Sequence, residues 1–130
     1  MTLPLTGVRV LDLSNVLAGP FCAYQLALLG AEVIKVEHPE GGDLARRLGA
    51  DKDASARDMG ASFVAVNAGK QSITLNLKDA RGKEILRSLV KTADVLVENF
   101  RPVCSHTSAG LPAASSSARK PSSVVDAALT

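Results

Sequence analysis

The sequence predicts an open α/β fold in which helices pack on a parallel sheet. Three observations predict it. The runs Val8-Arg-Val-Leu-Asp-Leu13 and Ala31-Glu-Val-Ile-Lys-Val-Glu37 flank a helical stretch, all within about 30 residues, the spacing of a right-handed βαβ crossover. A second strand–helix–strand pattern follows over residues 72–98. Finally, 46% of residues are hydrophobic but only 3% are aromatic, with no tryptophan. The core is therefore built from Val, Leu, Ile and Ala, as in sheets covered on both faces.

Each element has its own signal. Residues 8–13 form a β-branched and Leu-rich run that Ser14 and Asn15 break. Gly19-Pro20 opens a helix that runs to Leu29 and closes at Gly30, with proline in the first turn and glycine just past the end. Residues 31–37 are a second strand, and His38-Pro-Glu-Gly-Gly42 a loop. Asp43 is placed to cap a short helix through Arg46 and Leu48. Residues 50–60 are polar and weakly patterned, and 61–66 fit either a short helix or a strand. Ser72-Ile-Thr-Leu-Asn-Leu77 alternates with period two, so a strand is predicted there. Asp79 precedes a helix over 82–91, where Ile85, Leu86, Leu89 and Val90 recur at helical spacing. Residues 94–98 form a further strand. After Pro102 the chain becomes rich in Ser and Ala without sustained period. Such a segment buries too little apolar surface to offset its ordering entropy. The expected organisation is one folded unit over residues 1–102 and a structureless tail over 103–130.

Composition narrows the function. Fifteen basic against thirteen acidic residues give a formal charge of +2, and with few aromatics there is neither a basic footprint nor a stacking platform for nucleic acid. Cys22 and Cys104 have no metal-ligand spacing and suggest no disulfide framework, which favours a reducing compartment. The N-terminus lacks the charged and apolar regions of a signal peptide, and no apolar run approaches the ~18 residues of a membrane span. A soluble, cytoplasmic protein is expected, with no membrane partner.

In an open parallel sheet, ligands bind at the carboxyl ends of the strands. Three such ends carry ligand-friendly loops, at residues 14–20, 38–43 and 99–102. A helix starting near Pro20 would direct its positive end at an anion such as a diphosphate; the plainer reading is that Gly19 and Pro20 only end a strand and start a helix. His38 could meet a phosphate or an adenine, or be a loop residue only. Lys78, with Lys70 and Arg101, could bind the phosphates of a large anionic cofactor, or be a solvated charge. Cys22, inside an apolar helix, reads as core and not as a nucleophile. No GxGxxG or GxxxxGKS/T motif is present, so dinucleotide-fingerprint and P-loop readings lack support. No Ser/His/Asp set or metal-spaced cluster stands out. From the residues alone, the reading is an α/β domain for an anionic cofactor, with a flavodoxin-like regulatory module left open.

The motifs taken together are more specific. Leu5-Thr-Gly-Val-Arg-Val-Leu-Asp-Leu-Ser14, Leu17-Ala-Gly-Pro20 and Leu29-Gly-Ala-Glu-Val-Ile-Lys-Val-Glu37 resemble the opening of family III CoA-transferases, the formyl-CoA and carnitine-CoA transferase family. Gly41-Gly-Asp43 with Arg46, Asn67, Lys70, Ser72-Ile-Thr-Leu-Asn-Leu-Lys78, Gly82-Lys83 and Ala93-Asp-Val-Leu-Val-Glu-Asn-Phe-Arg-Pro102 continue the resemblance in order. It implies an open, Rossmann-like parallel sheet, the N-terminal part of the family's large domain. It further implies a reaction that moves CoA between an acyl-CoA and a carboxylic acid, with coenzyme A as substrate and no metal. Carried over by position, CoA contacts fall on Val16, Leu17 and Ala18, on His38, where relatives often place an arginine, on Leu75, Asn76, Leu77 and Lys78, and on Asn99, Phe100 and Arg101. Full-length relatives are interlocked homodimers, an arrangement not expected of this chain.

The resemblance ends at Pro102. In the family a glycine and a leucine-rich helical stretch follow, whereas Val103-Cys-Ser-His-Thr-Ser-Ala-Gly110 does not resemble them, and a shifted reading frame is the expected cause. The family's nucleophile is a single aspartate well downstream, which forms an aspartyl mixed anhydride and then an aspartyl-CoA thioester. Asp126, the one aspartate past residue 102, does not match that motif. No catalytic residue is therefore assigned, and a truncated CoA-binding portion is expected. A catalytically inactive CoA- or nucleotide-binding fragment is the alternative.

Overall fold

The computed structural model describes residues 2–100 and the strand Ser123–Asp126. The chain runs through β1 (Arg9–Asp12), α1 (Ala18–Leu28), β2 (Glu32–Glu37), a 3-10 turn (Leu44–Arg47), α2 (Lys52–Ala56), α3 (Ala61–Asn67), β3 (Gln71–Thr74), α4 (Ala80–Val90), β4 (Val95–Glu98) and β5 (Ser123–Asp126). All pairings are parallel and the strand order is β3-β2-β1-β4-β5. The predicted α/β class and open parallel sheet are thus observed.

Strands β1, β2 and β4 are central because each carries apolar side chains on both faces. On one face Leu11, Val36 and Leu96 pack with Leu86 of α4. On the other, Val10, Val33 and Val97 pack with Ala23 of α1, and half-buried Cys22 joins this layer as a core residue. Leu86 is fully buried, and burying a leucine contributes about 1.5–3 kcal/mol.

The helix ends follow their sequence signals. After α1, the Gly30 N–H donates to the Ala27 carbonyl at 2.9 Å and the Ala31 N–H to the Leu26 carbonyl at 3.1 Å. This is a Schellman closure, and Gly30 supplies its left-handed residue at φ +100°. Asp43 caps the 3-10 turn through the Ala45 N–H, and Asp79 caps α4 through the Arg81 N–H.

Some elements differ from the sequence-based expectation. Residues 50–60 contain α2, started by Asp51, whose carboxylate accepts from the Asp53 and Ala54 N–H groups. Residues 61–66, ambiguous in sequence, belong to α3. The strand expected over 72–77 ends at Thr74 because a turn begins: the Asn76 carboxamide accepts from the Lys78 N–H, and its carbonyl from the Asp79 N–H. Within the tail, Ser123–Asp126 pairs with β4, from Val95 opposite Ser123 to Glu98 opposite Asp126. The lack of strand period in that stretch gave no sign of this strand. The rest of the tail, Arg101 and Cys104 lie outside the described residues.

Candidate coenzyme site

The order β3-β2-β1-β4 places the topological switch point between β1 and β4, where the chain departs in opposite directions along the sheet. A cavity of about 530 Å³ opens there, at the carboxyl ends of the strands. Leu13 and Asn15 enter its wall after β1, Val36, Glu37, His38 and Gly42 at the end of β2 and beyond, Leu75, Leu77 and Lys78 after β3, Lys83 from α4, and Phe100 after β4. The size and mix suit a cofactor: an apolar wall with a few convergent polar groups.

Of the residues assigned by resemblance, His38, Leu75, Leu77, Lys78 and Phe100 line this cavity. Val16, Leu17, Ala18, Asn76 and Asn99 are not part of its wall, and Arg101 lies outside the described residues. Their local roles are visible nonetheless. Asn99 exchanges two hydrogen bonds with the backbone of Asn15, accepting from its N–H and donating to its carbonyl, both at 2.9 Å. Leu17 is the N-cap residue of α1 but offers no capping side chain. Val16 holds φ +71°, a left-handed conformation that a β-branched residue adopts only at a cost of about 1–3 kcal/mol. Its N–H donates to Asp43 Oδ1 at 3.0 Å. His38 turns its Nδ1 back to the Glu40 N–H at 3.1 Å, which leaves the ring beside the cavity.

The charges divide into a buried set and a free set. Asp12 and Lys35 are Cα partners across β1 and β2 on the α1 side of the sheet. Lys35 Nζ lies 2.9 Å from Asp43 Oδ2 and 3.9 Å from Asp12 Oδ2, and donates to the Ser14 carbonyl at 2.8 Å. Ser14 Oγ donates to Asp12 Oδ1 in a short hydrogen bond. Lys70 Nζ donates to Asp12 Oδ2, the Pro20 carbonyl and Asn67 Oδ1, at 2.8, 2.7 and 2.8 Å. This corrects the expectation that Lys70 serves a phosphate: its side chain is only 2% exposed and its donors are used inside the protein. Burial lowers the Lys70 pKa, and the neighbouring Lys35 adds to this, while Asp12 opposes it.

Glu37, in the cavity wall, is likewise committed. Arg46 grips it with two bonds of 2.7 Å, Ser72 Oγ donates at 2.7 Å, and the Asp43 N–H at 3.0 Å. The Arg46 guanidinium also stacks 3.8 Å over the Phe63 ring. Burial pushes the Glu37 carboxyl up, but the bonds from Arg46, Ser72 and the Asp43 N–H outweigh it and hold the pKa at about 2, below the ordinary 4.5. Because the folded value is the lower one, Glu37 adds stability that is present above pH 4.5 and lost as the pH falls toward 2. Glu37→Gln should flatten that part of the stability profile, measured as urea midpoints across the same pH range; an unchanged acid slope would contradict the assignment.

Lys78 and Lys83 are different: among the described residues neither ammonium has an ion-pair partner, and both border the cavity. With Glu37 neutralised by Arg46, the mouth is cationic. In the sequence Lys83 stands only within the Gly82-Lys83 motif; its spacing of five from Lys78, across the Asp79 cap, is the signal that marks it. Among the described residues no group of three His, Cys, Asp or Glu is placed to hold a metal ion, and no helix is long and apolar enough to cross a membrane.

Comparison with known proteins identifies the family. The chain is 46% identical over 101 residues to the succinyl-CoA–L-malate CoA-transferase beta subunit of Chloroflexus aurantiacus, covering 78% of this chain and 24% of that one. It is 50% identical over 102 residues to the formyl-CoA:oxalate CoA-transferase of Rhodopseudomonas palustris strain TIE-1, covering 78% and 23%. The chain thus spans about a quarter of the length of these curated relatives. A CaiB/BaiF family protein from Brucella suis superposes with a TM-score of 0.72 at 39% identity, covering 86% of this chain and 29% of that one. The model of CoA-transferase family III matches residues 5–127, past Pro102, where the motif resemblance stops. The chain belongs to CoA-transferase family III.

Proposed function

We propose that this chain binds coenzyme A or an acyl-CoA at the switch-point cavity, as the CoA-binding portion of an enzyme that moves CoA between an acyl-CoA and a carboxylic acid. One observation carries the reading. The residues that the family resemblance assigns to CoA on three separate loops, His38, Leu75, Leu77, Lys78 and Phe100, line one cavity at the carboxyl ends of the strands. The apolar side chains Leu13, Val36, Leu75, Leu77 and Phe100 suit the adenine or the pantetheine arm, and Lys78 and Lys83 suit the phosphates. The relatives' names supply the class of reaction, CoA transfer between carboxylic acids.

A second feature favours the reading that this chain binds without turning over. The buried carboxylates around the site, Asp12, Glu37 and Asp43, are each engaged by lysine or arginine, so none is free to attack a thioester. A tail in a shifted frame after Pro102 is part of the same proposal, and sequencing the DNA past that codon tests it.

Calorimetry with CoA is expected to show binding, and CoA exchange between an acyl-CoA and a free acid is expected to show no sustained turnover by the 130-residue chain. No heat at millimolar CoA would sink the first reading, and sustained turnover the second. Lys78→Ala and Lys83→Ala should each weaken CoA about tenfold, the ~1.4 kcal/mol of one charge-assisted phosphate contact. Pantetheine, which lacks the phosphates, should bind both variants as it binds the parent chain. Equal losses for both ligands would contradict a phosphate role.

A further inference from the structure

The loop between β1 and α1 combines three features that the sequence does not explain. Val16 sits at φ +71°, its N–H is held by a fully buried carboxylate from a loop 27 positions away, and Asn15 beside it forms part of the cavity wall. From these we infer that Asp43 is a positioning residue for the coenzyme site, clamping the 15–18 loop in a conformation that Val16 does not adopt unaided. The inference rests on the CoA reading above and extends it to a residue outside the cavity.

The argument is one of donors and acceptors. Asp43 Oδ1 accepts from the N–H groups of Val16 at 3.0 Å and Ala45 at 2.9 Å, while Oδ2 lies 2.9 Å from the Lys35 ammonium. Oδ1 is thus engaged by two N–H donors, while Oδ2 meets the Lys35 charge at ion-pair distance without hydrogen-bond geometry. An asparagine of the same shape would set its NH₂ either against Lys35 or against the two backbone N–H groups, so only the carboxylate satisfies both sides. Lys35 in turn donates to the Ser14 carbonyl, tying the near end of the loop to the same charge. The Asp43 N–H is fixed by Glu37, itself in the cavity wall, so the clamp and the wall are one bonded assembly. Asn99 secures Asn15 from the β4 side.

The test is a cycle of Asp43→Asn and Val16→Gly. Glycine reaches positive φ without a Cβ penalty, so it supplies the loop shape that the clamp otherwise enforces. Asp43→Asn should weaken CoA at least fivefold, and Val16→Gly added to it should restore affinity to within about twofold. A merely structural Asp43 would show no such rescue, and its absence overturns the proposal. Should Asp43→Asn fail to fold, Val16→Gly in the otherwise unchanged chain gives a second measurement. It should raise the melting temperature by a few degrees, the response to relieved strain; a lower one overturns the clamp. If the parent chain binds no CoA, the coenzyme reading fails separately. The clamp is then read from the Val16 amide proton of the free protein, which Asp43→Asn should shift upfield; an unmoved resonance overturns it.

Discussion

Replacing Lys35 by methionine will cost about 3–5 kcal/mol of folding stability, because it strands carboxylates buried to hold a cation. The Lys35 side chain is 1% exposed, and those of Asp12 and Asp43 are wholly buried. Without the ammonium, Asp43 Oδ2 loses its ionic partner, the Ser14 carbonyl loses a donor, and Asp12 keeps Lys70 as its cation. Methionine fills much the same volume, so the loss reports charge and not a cavity. Urea denaturation with an unchanged slope measures it directly. The exposed pair between Arg9 and Glu32 is the control: at 2.9 Å it is as short as the buried contact, yet Glu32→Gln should cost no more than about 1 kcal/mol. Equal effects at the two sites would mean that the buried network contributes no more than a surface pair.

Gly82→Ala should destabilise the chain, although alanine is the better helix former by about 1 kcal/mol. Gly82 lies in the first turn of α4, pressed against the turn that carries Lys78. An added Cβ would lie 2.1 Å from the Asn76 carbonyl oxygen and 2.9 Å from its carbon. Backbone, not a flexible side chain, must move, which sets the expected loss at about 1–3 kcal/mol. The displaced turn also carries Leu77 and Lys78, so CoA affinity should fall with stability. A variant more stable than the parent would show that α4 does not pack where the structure has it.

Local features of the fold were legible in the sequence. The strand–helix–strand order, the Asp43 cap and the Gly30 closure are local patterns, and each was readable within a few positions. The cavity residues His38, Leu75, Leu77, Lys78 and Phe100 were legible through family motifs, since each lies in or just after a strand that the pattern locates. Lys70 was misread because its partner Asp12 stands 58 positions earlier, and a lysine just before a strand looks like a solvated charge. Val16 was assigned by resemblance, but its conformation depends on Asp43, and no local signal marks a valine for positive φ. The strand over 72–77 was overextended because its alternation continues past Thr74, while the Asn76 turn is set by side-chain bonding that periodicity does not see.

The facing of Asp12 and Lys35 across β1 and β2 also bears on how the chain finds its pairing. Parallel aliphatic strands are nearly interchangeable along their length, so their alignment is weakly encoded by hydrophobicity alone. A slip of β2 by one residue would turn Lys35 into the leucine layer beside Leu11 and Leu86 and set Val36 against Asp12. The Lys35 ammonium, parted from Asp43 and set in an apolar layer, would make that misaligned sheet far less stable than the native one. The acid and base in the middle of the sheet thus act as a key, admitting one alignment of two otherwise slippery strands.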